Sequence, residues 1–173
     1  VGGGSYGDKI YNYGKYATLY GYGEADTIYN YAGGSKVYGG DGADYLYNYV
    51  SSSYTINSSQ GYATLDGGSG DDTLYNAGYS QLYVSMNGGA GDDSLWSNGY
   101  YNTLDGGAGD DTLRGYYRSS LSGGAGADSI YVLSYYNTIN GGAGNDWIYF
   151  AGGADAMYAT IVGGIGNDTI RNW

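Results

Sequence analysis

Apolar residues recur along the chain in pairs held nine residues apart. Leu19 precedes Ile28, Val37 precedes Leu46 and Leu65 precedes Leu74, and the same step joins Met86 to Leu95, Leu104 to Leu113, Leu121 to Ile130, Ile139 to Ile148 and Ile161 to Ile170. Their neighbours are polar or aromatic, as in Thr103-Leu104-Asp105 and Thr112-Leu113-Arg114. That alternation predicts short strands, one residue inward and its neighbours outward, bounded by glycine-rich turns. Two strands make one coil, and coils stacked about 4.8 Å apart predict an all-β parallel solenoid of about nine coils, roughly 40 Å long. Its interior is two ladders of Leu, Ile, Val and Met.

The turns repeat as strictly as the strands. Gly-Gly-x-Gly-x-Asp-x-Leu/Ile begins at Gly39, Gly67, Gly88, Gly106, Gly123, Gly141 and Gly163, and two degenerate copies precede these at Gly3 and Gly21. Tyr6 spoils the first degenerate copy, and Tyr22 and Glu24 the second. Residues 1–38 are therefore read as degenerate coils and 39–173 as coils with full motifs, all in one domain that is expected to be a segment of a longer polypeptide. The closing Asp residues follow one another at 18, 18, 28, 21, 18, 17, 18 and 22 residues. All of that variation lies outside the nine-residue half that carries Gly and Asp. Lengthening a plain surface loop costs only about 0.6 kcal/mol per doubling, so something geometric pins the glycine-aspartate half. The excess residues, within Tyr47 to Ala63, Asn76 to Val84 and Phe150 to Ala159, should project from the opposite edge and carry Tyr49, Tyr54, Tyr62, Tyr79 and Tyr83.

Composition limits the chemistry. Among 173 residues there is no His and no Cys, which excludes Cys/His zinc sites, a Ser-His-Asp triad, a Cys nucleophile and disulfides. A formal net charge of −11 repels phosphate backbones, so no nucleic-acid partner is expected. No run of 18 apolar residues exists to span a membrane. Gly takes 36 positions, and so narrow an apolar stack offsets the entropy of ordering them poorly. A further stabiliser is implied.

Stacked in register, the carboxylates of Asp44, Asp72, Asp93, Asp111, Asp128, Asp146 and Asp168 form a column of like charge that is strongly repulsive when bare. Carboxylates with backbone carbonyls, and neither nitrogen nor sulfur, suit Ca²⁺ better than Mg²⁺, which demands a tight octahedron. About six Ca²⁺ between seven full turns would carry about +12 against the formal −11. The repeat, as in Gly106-Gly107-Ala108-Gly109-Asp110-Asp111-Thr112-Leu113-Arg114, resembles the RTX (hemolysin-type) calcium-binding nonapeptide. The resemblance implies a right-handed parallel β-roll with calcium held between turns by those seven Asp side chains. It also implies carbonyl ligands from the first, third and fifth positions of each motif. These are Gly39, Asp41 and Ala43; Gly67, Ser69 and Asp71; Gly88, Ala90 and Asp92; Gly106, Ala108 and Asp110; Gly123, Ala125 and Ala127; Gly141, Ala143 and Asn145; and Gly163, Ile165 and Asn167. In the degenerate coils Asp8 and Asp26 are weaker candidates, and those coils are expected to bind calcium poorly or not at all.

The chain departs from the usual RTX array by carrying the motif in alternate half-turns, so one edge alone is a calcium edge. A similar one-edged layout occurs in calcium-dependent antifreeze β-solenoids, but the matching third positions here contain no Thr, which argues against ice binding. An outward column, Tyr11, Tyr29, Tyr47, Tyr75, Trp96, Arg114, Tyr131, Tyr149 and Arg171, follows the strand residues. Stacking within a sheet accounts for it; a second reading makes Tyr29, Tyr47, Tyr75, Trp96, Tyr131 and Tyr149 a recognition stripe for glycan, cell wall or protein. Asn12, Asn30, Asn48 and Asn76 are expected to bond turn backbone. The sequence thus reads as a secreted or bacterial cell-surface module, non-enzymatic, built as a structural extender or a folding unit coupled to secretion, with adhesion as the alternative and self-association through the exposed solenoid ends open. Equivalent carboxylates in one column lack the separated pKa values of an acid/base pair.

Overall fold

The computed structural model describes residues 1–50, 62–78, 83–151 and 158–172. Tyr54, Tyr79 and Trp173 lie outside the described residues. Among the described residues, seventeen strands alternate between two sheets. The first eight are β1 (Lys9–Asn12), β2 (Thr18–Gly23), β3 (Thr27–Asn30), β4 (Lys36–Asp41), β5 (Tyr45–Asn48), β6 (Ala63–Ser69), β7 (Thr73–Asn76) and β8 (Val84–Ala90). They are followed by β9 (Ser94–Ser97), β10 (Thr103–Ala108), β11 (Thr112–Gly115), β12 (Ser120–Ala125), β13 (Ser129–Val132), β14 (Thr138–Ala143), β15 (Trp147–Phe150), β16 (Thr160–Ile165) and β17 (Thr169–Asn172). The odd-numbered strands form one nine-stranded sheet and the even-numbered strands an eight-stranded one. Every pairing between neighbours is parallel. The molecule is a parallel β-solenoid of between eight and nine coils.

Register follows the apolar repeat even where coils differ in length. Leu46 pairs with Leu74 across 28 residues and Leu74 with Leu95 across 21. Leu19, Val37, Leu65, Met86, Leu104, Leu121 and Ile139 line one inner face, and Ile28, Leu46, Leu74, Leu95, Leu113, Ile130 and Ile148 the other, all essentially without solvent exposure. A slip of one residue would turn each of these outward, so burial fixes the register. In the last coil Ile161 is half-buried and Ile170 is 47% exposed.

A second inward position changes character along the axis. Asn12 donates through Nδ2 to Asn30, Asn30 to Asn48, Asn48 to Asn76, and Asn76 to the Ser97 hydroxyl. Asn12 and Asn30 also donate to the carbonyls of Gly14 and Ala32, as the turn role requires. At Val132 and Phe150 the same position is apolar, the two paired and both fully buried, before the column returns to Asn172 in the last coil. The polar ladder satisfies its own amides coil to coil, which is what makes its burial tolerable.

The longer connections, on the edge away from the glycine-aspartate turns, join β5 to β6, β7 to β8 and β15 to β16, and the inserted residues 51–61, 79–82 and 152–157, predicted to project from that edge, lie outside the described residues. Among the described residues that edge holds a feature that glycine announces in one coil alone, at Gly34 with φ 75°. Tyr16, Tyr83, Tyr101, Arg118 and Tyr136 all have positive φ, between 53° and 63°. Holding such residues there costs of order 1–3 kcal/mol each. Stacking returns part of it: Tyr62 on Tyr83, Tyr83 on Tyr101 and Tyr136 on Tyr158 lie 4.8–5.4 Å apart, and the Arg118 guanidinium sits 4.7 Å from the Tyr136 ring centroid.

Candidate metal centre

Each Gly-Gly-x-Gly-x-Asp run carries the chain from an even-numbered strand to the next odd-numbered one, and its three glycines meet different demands. The second and fourth positions need positive φ: 113° and 114° at Gly68 and Gly70, 113° and 131° at Gly107 and Gly109. The first needs empty space. A β-carbon on Gly67 would collide with Oδ2 of Asp72 and with the carbonyl oxygen of Gly88 in the next coil. The same pair, the motif's own Asp and the next coil's first carbonyl, surrounds Gly21, Gly39, Gly88, Gly106, Gly123 and Gly141.

The aspartates turn inward at this spot. Asp26, Asp44, Asp72, Asp93, Asp111, Asp128 and Asp146 are at most 2% exposed. Each accepts at Oδ1 a hydrogen bond from the backbone N–H of the preceding coil's Asp, and with Asp168 these bonds span 2.6–3.1 Å. Oδ2 of the seven has no hydrogen-bond partner. A buried carboxylate oxygen without a partner is costly. Burial accordingly pushes the carboxyls of Asp72 and Asp111 up to about 7 and those of Asp44, Asp93 and Asp128 up to about 6. The N–H bonds oppose the rise and neighbouring carboxylates add to it. An unsatisfied carboxylate oxygen facing a carbonyl is a place for a proton or a hard cation, and these oxygens fit Ca²⁺. No group of three or more acidic side chains gathers at one point among the described residues, so an ion here would draw its remaining oxygens from carbonyls and water.

The structure sorts the predicted carbonyl ligands into two kinds. Gly39, Gly67, Gly88, Gly106, Gly123, Gly141 and Gly163 present theirs beside the preceding coil's Oδ2. The third-position carbonyls of Ser69, Ala90, Ala108, Ala125, Ala143 and Ile165 instead accept from the N–H of Gly42, Gly70, Gly91, Gly109, Gly126 and Gly144 at 2.7–2.8 Å, so one lone pair of each is engaged in the inter-coil ladder. At the fifth position the side chain has its own role: Oδ1 of Asp71, Asp92, Asp110 and Asn145 accepts from the N–H of Asp92, Asp110, Ala127 and Asn167. The Asp-Asp pairs at 71–72, 92–93 and 110–111 were the available signal for this outer ladder, and the sequence suggested only the backbone carbonyls of their first members.

The second degenerate coil shares the positive-φ pattern of the full motifs. Tyr22 and Glu24 take positive φ, 85° and 66°, in place of glycine, and Asp26 is buried with Oδ2 unpartnered like its neighbours. Asp8, in the first coil, is half-buried, and its N–H donates to Asp26 Oδ1.

The aromatic column lies on the outer face of the odd-numbered sheet, in register from Tyr11 to Arg171. Tyr29, Tyr47, Tyr75 and Tyr149 are half-buried against neighbours, while Trp96 and Tyr131 are exposed. Arg114 sits over the Trp96 ring at 5.7 Å and divides the column into two stretches.

No helix long and apolar enough to cross a membrane occurs among the described residues. Neither a curated protein nor a solved structure matches the chain. The family model described as RTX calcium-binding nonapeptide repeat (4 copies) matches at residues 20–48, 55–78, 87–116, 122–157 and 160–171, well over half of the chain. With its repeat, its coil geometry and this match in agreement, the chain belongs to the RTX calcium-binding nonapeptide repeat family.

Proposed function

We propose that Ca²⁺ bound between successive Gly-Gly-x-Gly-x-Asp turns closes this solenoid, and that the chain serves as an extracellular structural module whose folding is gated by calcium. The observation that carries the reading is the file of seven buried, unpartnered Oδ2 atoms, each beside the first-glycine carbonyl of the next coil. Asp44, Asp72, Asp93, Asp111, Asp128 and Asp146 would each supply a carboxylate, with carbonyls of Gly67, Gly88, Gly106, Gly123, Gly141 and Gly163 opposite. Asp26 with Gly39 makes a seventh equivalent interval, one more than the spacing of full motifs predicts. The ion would supply positive charge where the fold provides no side-chain donor.

Open sites built from carbonyls and few carboxylates bind in the range of about 10⁻⁴–10⁻³ M, a level met outside cells. That supports a secreted or bacterial surface-attached protein whose acidic chain stays loose in a low-calcium interior and closes on export. The role is non-enzymatic: the buried carboxylates occupy equivalent settings rather than the contrasting ones an acid and a base require. Circular dichroism during a calcium titration of the chelated protein, with magnesium in parallel, tests the reading. A coil-to-β transition with calcium alone, ending near seven ions per chain, is the expected result. An unchanged β spectrum without calcium uptake would falsify it.

A further inference from the structure

One depression of about 350 Å³ opens on the outer face of the odd-numbered sheet, lined by Tyr45, Thr73, Tyr75, Ser94 and Trp96. It exists because one column is uneven. The position before the inward apolar residue reads Thr27, Tyr45, Thr73, Ser94, Thr112 and Ser129 in successive coils, all in register. Tyr45 stands tall at one end, the short side chains of Thr73 and Ser94 leave a floor, and Tyr75 and Trp96 of the neighbouring column form the side wall.

The wall is fixed before anything binds. Tyr75 accepts a hydrogen bond at its hydroxyl from Asn98 Nδ2 at 3.1 Å, and Arg114 covers Trp96 from the next coil. The Tyr75 and Trp96 rings meet edge to face, 6.2 Å apart at 66°. Rigid aromatic surfaces of this kind give contact area at little entropic cost.

We propose that this depression binds one ring of a neutral saccharide. Three aromatic side chains offer apolar surface to the C–H face of a pyranose, and two hydroxyls on the floor offer hydrogen bonds to its hydroxyls, the usual balance of a small-ligand site. The volume admits a single ring, with the rest of an oligosaccharide outside. Charge selects among sugars: among the described residues no charged side chain lines the site, the chain is formally −11, and Asp71 and Asp92 stand exposed on the adjoining turns against the single Arg114 behind Trp96, so sulfated, phosphorylated and uronic sugars are disfavoured. A quaternary ammonium ion, the other ligand suited to aromatic walls, meets Arg114 behind Trp96 and no carboxylate in the lining. The inference rests on the folded coils and not on which cation closes them.

The test is ligand-observed saturation-transfer NMR on the full chain with excess calcium, using cellotetraose, mannotetraose and chitotetraose as neutral probes, and glucuronate and benzyltrimethylammonium as charged ones. At least one neutral probe should bind, with Kd about 1 mM. Tyr45→Thr installs the residue that the preceding and following coils already carry, so folding is retained while the end wall goes; it should weaken binding tenfold or more. Trp96→Ala should do the same, whereas Tyr131→Ala, in the same column but outside the depression, should bind as the parent does. Circular dichroism with calcium confirms that each variant is folded, which separates loss of the site from loss of the calcium-dependent fold. Absence of binding by all three neutral probes overturns the proposal, as does undiminished binding by folded Tyr45→Thr or a response confined to a charged probe.

Discussion

At the scale of single residues, the three motif glycines are not interchangeable, because conformation and space are separate constraints. Gly67 has ordinary backbone angles, yet an added methyl would strike the Asp72 carboxylate and a carbonyl of the next coil at once. Neither obstacle is the loose end of a flexible chain. Gly67→Ala should therefore lower stability by about 1–3 kcal/mol, the range for overpacking a tight interior, and reduce the number of calcium ions taken up. Gly23, in a third position, has open space around its α-carbon and no positive φ. Gly23→Ala should change stability by no more than about 0.5 kcal/mol. Denaturant unfolding of both variants with calcium present checks the pair; equal effects would show that the first glycine is not reserved for the metal-side oxygen.

At the scale of the turn and strand columns, the buried aspartates set a pH dependence whose sign differs with and without calcium. Their folded-state values, about 6 for Asp44, Asp93 and Asp128 and about 7 for Asp72 and Asp111, lie above the ordinary 3.8. A carboxyl raised on folding favours the folded state most below its unfolded value, and that advantage is lost as pH rises through the folded value. The metal-free chain should thus gain stability as pH falls from about 7 toward about 4. Calcium affinity should fall over the same window, because protons and the ion compete for Oδ2. Thermal melts from pH 4 to 8 in chelator and in calcium would show crossing trends; parallel trends would contradict the burial of bare carboxylates. Much of this element scale was legible in sequence. The nine-residue step located the inward apolar residues of both sheets, and these pair coil to coil across 17 residues or 28. What escaped depends on contacts between coils rather than within one. The Asn ladder, the outer ladder of Asp71, Asp92 and Asp110, and the left-handed Tyr and Arg positions each need a stacked neighbour before they mean anything. The positive φ of Tyr22 and Glu24 escaped for the same reason, since glycine is the residue that makes such angles easy. Tyr45, absent from the predicted recognition stripe, matters because its neighbours in the next coils are short.

At the scale of the whole molecule, each coil touches the one before and the one after, and β1 and β17 stand at opposite ends of the odd-numbered sheet. Stability in such an array is close to a sum over neighbouring interfaces. The inter-coil hydrogen bonds run along the long axis, which gives the molecule a mechanical character. A pull applied through the chain ends loads these bonds one coil at a time, as in peeling, and not all together as in shear. Each coil of 18 residues released would pay out about 60 Å of chain. Single-molecule stretching in calcium should show a train of small, similar steps whose force drops when chelator is added; one rupture of the whole array would argue against coil-by-coil release. A chain anchored at one end and loaded at the other would then lengthen under drag and recoil as coils re-form, making it a calcium-set shock absorber.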